Sequence, residues 1–163
     1  MKTIVGVMGP SAIKTDEAEL SREIGKVVAD SGAVLLTGGM GGVMEEASRG
    51  AKEAGGEVMA ICPTFDKSDV NPYVDIPVMT GMRSGRNFAN ILTSDVVIAI
   101  GSVSAGTLSE IAFALQLERP LMIINASEAM QRYLEEYESP TLSFVDTIEE
   151  ITEKLAELKI NKK

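Results

Sequence analysis

The chain has no histidine and no tryptophan, one cysteine (Cys62), and only 4% aromatic residues. Without histidine, Ser-His-Asp and Cys-His catalysis and the common zinc sites are excluded. No Asp/Glu cluster has the spacing of a metal-binding loop, so no metal site is expected. A lone cysteine excludes an intrachain disulfide framework. The N-terminus runs directly into a strand pattern rather than a signal-peptide pattern, so the expected location is cytoplasmic. No apolar run approaches the roughly 20 residues needed to span a bilayer, so no membrane association is expected. The net charge of −9 opposes a broad nucleic-acid interface, and the scarcity of aromatics opposes base stacking. An anionic ligand would need a local positive site in this acidic protein, and acid–base work would fall to Glu, Asp, Lys, Tyr or Cys62.

What is present is a regular alternation. Short β-branched runs at about 3–8, 34–37, 57–62, 76–80, 95–100, 121–124 and 142–145 read as strands. Amphipathic stretches at about 16–31, 43–54, 84–93, 106–118, 127–136 and 147–159 read as helices. Residues 63–75 read as the longest loop, and the tail 161–163 as frayed. With 163 residues, 45% of them hydrophobic, this predicts a single α/β domain over 1–163. The expected architecture is a Rossmann-like three-layer sandwich, a mainly parallel sheet of six or seven strands with helices on both faces. Such folds bind ligands beyond the carboxyl ends of the strands. Those ends carry Gly9-Pro10-Ser11, Gly38 to Gly42, Gly81 to Arg86, and Gly101 to Thr107.

Two of these ends are strand–glycine–helix junctions. One runs from Val34-Leu35-Leu36-Thr37 through Gly38, Gly39, Met40, Gly41 and Gly42 into a helix at Val43. The other runs from Val96 to Ile100 through Gly101 to Gly106 into Thr107-Leu108-Ser109-Glu110. Free N–H groups and the helix dipole at such junctions favour an anion, so two of them predict a pocket for a phosphorylated small molecule. The alternative is that the glycines only make tight turns with positive φ. The dinucleotide fingerprint fails, because Met44 stands where its third glycine belongs, and the Walker sequence is absent.

Thr107 and Glu110 fit a T-x-x-E capping box, which would make Glu110 a helix cap. The competing reading places Glu110 one turn inside the pocket, as a general base or a partner for a ribose hydroxyl. Arg83 and Arg86 sit at a predicted helix start on the same rim, and Asn87 follows Arg86. Arginine suits phosphate because its planar fork binds two oxygens.

The set Gly38-Gly39-x-x-Gly42-Val43-Met44, Met82…Arg86-Asn87 and Gly106-Thr107-Leu108-Ser109-Glu110 resembles the LOG-like superfamily over about residues 3–125. Within it, Arg86-Asn87 and Gly106 to Ala112 resemble the short branch that contains the molybdenum-cofactor carrier proteins. The resemblance implies a nucleotide-binding Rossmann-like domain, usually a dimer. It assigns catalytic roles to Arg86 and Glu110 in cleaving the N-glycosidic bond of nucleoside 5′-monophosphates. Together with the strand-end placement, it leads us to expect ligand contacts from Gly9, Pro10, Ser11, Gly38, Gly39, Met40, Gly41, Gly42, Arg83, Asn87, Ser104, Ala105, Gly106 and Thr107. Two departures alter the base and ribose side of the pocket: Gly101-Ser102-Val103-Ser104 replaces PGG, and Met82-Arg83-Ser84-Gly85-Arg86 replaces M-H-x-R-K. The resemblance therefore carries an alternative to hydrolysis, a non-catalytic carrier for molybdenum cofactor or a related phosphorylated pterin. No cofactor is required; bound nucleotide or molybdenum cofactor is the expected ligand. Pyridoxal-phosphate lysine decarboxylation, an older label of the superfamily, is not expected, since neither glycine loop carries a lysine and Lys14 is the one rim candidate. The helices near 84–93 and 106–118 are apolar on more than one face, which predicts a homodimer or higher homo-oligomer through them.

Overall fold

A computed structural model describes residues 1–101 and 104–160. Ser102 and Val103 of the second glycine loop and the tail 161–163 lie outside the described residues. The chain begins with β1 (Ile4–Met8), whose buried residues place it mid-sheet, followed by α1 (Thr15–Asp30) and β2 (Val34–Thr37). Next come α2 (Val43–Glu53), β3 (Glu57–Cys62), β4 (Ile76–Met79), α3 (Arg86–Thr93) and β5 (Val96–Ile100). The remaining elements are α4 (Ala105–Gln116), β6 (Leu121–Ile124), α5 (Glu128–Glu135), β7 (Leu142–Val145) and α6 (Ile148–Ile160).

The seven strands form one sheet in the order β4-β3-β2-β1-β5-β6-β7, and every pairing is parallel. A parallel sheet needs cover on both faces, which is why β5 is buried at all five positions. One face packs α1, α2 and α6 through Ile24, Val28, Val43, Ala47, Ile151 and Leu155. The other packs α3, α4 and α5 through Ile91, Ile111, Ala114, Met130 and Leu134. The backbones of α1 and α2 touch: a Cβ on Gly25 would overlap the Ala47 carbonyl, and one on Gly50 the Arg22 carbonyl. From β1 the chain winds outward to β4, then returns to lay β5 on the opposite side of β1. The switch point thus lies between β1 and β5, and the two glycine junctions end the strands flanking β1. No helix among the described residues is long and apolar enough to cross a membrane.

Two helix starts differ from expectation. Arg83–Gly85 form a separate 3-10 turn with Arg83 at φ 50°, so α3 begins at Arg86. At α4, Ser104 is the N-cap: its Oγ accepts the Thr107 N–H at 3.0 Å. The expected Thr107–Glu110 capping box is therefore not formed. Both residues lie inside the helix, and both are buried.

Candidate functional site

A cavity of about 690 Å³ opens at the carboxyl ends of the central strands, within the roughly 300–1,000 Å³ typical of small-molecule sites. The loop after β1 contributes Gly9, Pro10 and Ser11; the loop after β2 contributes Gly38; the 3-10 turn contributes Arg83 and Ser84. Arg86 and Asn87 enter from α3, and Ser104, Gly106, Thr107 and Glu110 from α4. Gly39, Met40, Gly41, Gly42 and Ala105 do not line it. Gly39 (φ 74°) backs onto Cys62 and Ala60, and Gly42 (φ 67°) packs on the backbone of Pro10 and Ser11, so these two shape the turn. Lys14 and Gly42 line a shallower cleft beside the cavity. Met8, Ala12, Pro63 and Thr64 also line the cavity without being expected to from the sequence, as does Met44, to which the sequence points only through the glycine-loop motif.

The charged centre is a buried pair. Arg86 Nη1 donates to Glu110 Oε1 at 3.2 Å and to Asn87 Oδ1 at 2.5 Å. Asn87 is itself held, its Nδ2 donating to Ser109 Oγ at 2.9 Å. The guanidinium fits because residue 38 is glycine: a Cβ there would overlap Arg86. On the other edge of the fork, Nη2 faces only the Met44 sulfur at 3.8 Å, and Nε has no acceptor. Burial dominates both partners. It pushes the Glu110 carboxyl up to about 7, against the opposing pull of Arg86 and the nearby Asn90 amide. It also lowers the Arg86 guanidinium despite Glu110. Asn90 is fully buried beside Glu110, and its amide makes no close hydrogen bond. Cys62, behind Arg86, is pushed up by burial, with Arg86 opposing.

The rim carries groups of the kind that favour an anion. Arg83 is exposed and forms no ion pair with any described residue. At the N-terminus of α4 the first-turn N–H groups of Ala105 and Gly106 have no acceptor within the helix. A Cβ on Gly106 would meet no atom of the described residues closer than 3.8 Å, so among these neither sterics nor a positive φ requires glycine there. Its bare Cα leaves the approach to the helix end open.

The family model described as the SLOG cluster4 family matches residues 2–152. The chain belongs to the SLOG cluster4 family. This SLOG chain is similar to the molybdenum cofactor binding protein of the phototrophic bacterium Rippkaea orientalis: 36% identical, TM-score 0.92, covering 98% of each chain. It is also similar to the molybdenum cofactor carrier protein of Chlamydomonas reinhardtii: 31% identical, TM-score 0.91, covering 98% of this chain and 99% of that one. An uncharacterized protein of Archaeoglobus fulgidus is 40% identical over 113 residues, 69% of this chain and 73% of its own length. The matches bear out the LOG-like resemblance and its carrier branch, and the seven-stranded parallel sheet bears out the fold class.

A phosphorylated pterin fits the donor set of the SLOG cavity. Arg83, the hydroxyls of Ser11, Ser84 and Ser104, and the α4 N-terminus suit phosphate. The chain has no imidazole, and its one thiol, Cys62, is buried away from the cavity. Among the described residues no group of His, Cys, Asp or Glu could hold a metal ion.

Proposed function

We propose that this protein binds and carries a phosphorylated pterin, molybdenum cofactor or a close relative, without hydrolysing it. The observation that carries the reading is Gly106: a glycine that packing among the described residues does not require, at the N-terminus of α4 and lining the same cavity as Arg83 and Arg86. Phosphate would sit at the Ala105 and Gly106 N–H groups with Arg83 at the rim, and Arg86 would supply deeper charge. The similarity to a molybdenum cofactor binding protein of Rippkaea orientalis and a molybdenum cofactor carrier protein of Chlamydomonas reinhardtii supports the pterin as cargo.

One observation favours the second reading, hydrolysis of nucleoside 5′-monophosphates. Glu110 lines the cavity with its carboxyl pushed up to about 7, which suits a general acid or base. Against it, Glu110 already spends an oxygen on Arg86. The test is free-base release from AMP, GMP, CMP and IMP, read by chromatography with Glu110→Gln as control. The carrier reading expects no release above the control. Wild-type release at least about two orders of magnitude above Glu110→Gln would establish the hydrolase.

A further inference from the structure

The Arg86–Glu110 pair has the features of a site that is not finished until an anion arrives. Both side chains line the cavity, and both are more than nine-tenths buried. Arg86 is locked in place by Asn87 and by the bare Cα of Gly38, yet half of its fork is unused: Nε lacks an acceptor and Nη2 meets only a thioether. Among the described residues that line the cavity, Glu110 is the only acidic side chain, and Arg83 and Arg86 are the only basic ones. From β1, β2 and α2 the neighbours Met8, Gly38 and Met44 carry no charge. From α3 the uncharged Asn87 and Asn90 complete the surroundings, and Cys62 of β3 lies behind Arg86. With Glu110 ionised, the lining carries one net positive charge; with Glu110 neutral it carries two, the complement of a phosphate monoester dianion.

Resting on the phosphate-binding reading above, we propose that Glu110 and the incoming phosphate compete for the Arg86 guanidinium, so that the site takes up its anion together with one solvent proton, which neutralises Glu110. No covalent bond is made or broken. The proton moves from solvent to a Glu110 carboxylate oxygen as the phosphate oxygens replace that carboxylate as the counter-charge of Arg86. A buried carboxylate left beside a bound dianion would otherwise face it unpaired in a low-dielectric setting, the arrangement that most strongly favours the protonated form. Burial has already brought the Glu110 carboxyl to the edge of that change. Release of cargo is then favoured by rising pH.

Sulfate is the probe, because it is a tetrahedral dianion that does not itself titrate near neutrality. Its binding to the full chain is measured from about pH 6 to about pH 9 by NMR, following the Glu110 carboxyl carbon, with Arg86→Ala defining the site. Wild-type affinity is expected to fall by up to about tenfold per pH unit above the Glu110 midpoint, as for one linked proton. Saturating sulfate should move that midpoint upward. Glu110→Gln, which keeps the shape and a hydrogen-bonding oxygen, should bind sulfate with the same affinity throughout. Site-specific sulfate binding that is independent of pH in the wild type, or an unchanged pH dependence in Glu110→Gln, overturns the coupling and leaves the phosphate site standing. Absence of sulfate binding at every pH also overturns it, and the carrier reading is then decided separately by whether a phosphorylated pterin co-purifies.

Discussion

Gly38 and Arg86 occupy one space: the guanidinium lies where a Cβ of residue 38 would be, with the Met44 sulfur beside it. The glycine at the end of β2 therefore seats the arginine rather than serving only a turn. Since the atoms in the way are the flexible ends of Arg86 and Met44, Gly38→Ala should fold. It should push the guanidinium off Glu110 and weaken anion binding by about 1.5–3 kcal/mol, the scale of a lost charge-assisted hydrogen bond. Arg86→Ala should do the same. Titration calorimetry with the phosphorylated ligand checks both, and unchanged affinity in Gly38→Ala would remove Gly38 from the account.

Gly106→Ala should separate stability from function. The new methyl enters space free of the described residues in the first turn of α4, so the protein should be stabilised by about 0.4–1 kcal/mol through the unfolded state. Ligand affinity should fall, because the methyl blocks the approach to the helix end. Thermal unfolding and binding measured on one preparation decide it. A variant that is stabilised and still binds normally would dissociate Gly106 from the phosphate.

The Glu110 carboxyl predicts how stability depends on pH. Its folded-state value, about 7, stands above the ordinary 4.5, so between these values the folded protein holds more protons than the unfolded chain. The sign follows: this group's contribution is fully present below about 4.5 and is lost as pH rises through about 7. The loss amounts to up to about 3 kcal/mol. Glu110→Gln should flatten this part of the stability–pH curve, as read by chemical denaturation at several pH values. A wild-type curve that rises across the same window would contradict the assignment.

The outer faces of α3 and α4 carry Phe88, Leu92 and Leu108 in the open, and no charged residue of either helix is exposed. Phe88 also stacks edge-on against Phe113, with ring centroids 5.2 Å apart. On a protein of net charge −9, an uncharged apolar face is self-compatible, and we expect a homodimer or higher homo-oligomer through it. Light scattering at micromolar concentration should show it, and Leu92→Glu should yield monomer. A monomeric wild type would reject the assembly.

Much of this was legible in the sequence, for physical reasons. Strands such as Val96–Ile100 stand out because parallel strands buried on both faces are apolar throughout. Parallel topology then carries every strand's carboxyl end to one rim, which is how Gly9, Gly38, Arg86 and Glu110 come together from distant positions. Local ambiguities were not resolvable in this way. Ser104 and Thr107 are both good N-caps, and only the backbone decides that Ser104 wins and Glu110 turns inward. The glycines of 38–42 look equivalent in sequence, yet Gly38 faces the cavity while Gly39 and Gly42 make positive-φ turns behind it. Of the apolar residues on the helices near 84–93 and 106–118, Ile91, Ile111 and Ala114 are core, while Phe88 and Leu92 stay exposed. Thr64 gave no signal, because a threonine in a cavity wall is compositionally ordinary.

The most direct test of the central claim is native mass spectrometry of freshly purified protein, followed by denaturation and fluorescence of the released, oxidised ligand. The account predicts a bound mass of a phosphorylated pterin that is intact on release and depleted in Arg86→Ala. A protein that carries no pterin, and instead co-purifies with ribose 5-phosphate or a free base, would contradict the carrier and return the site to hydrolysis.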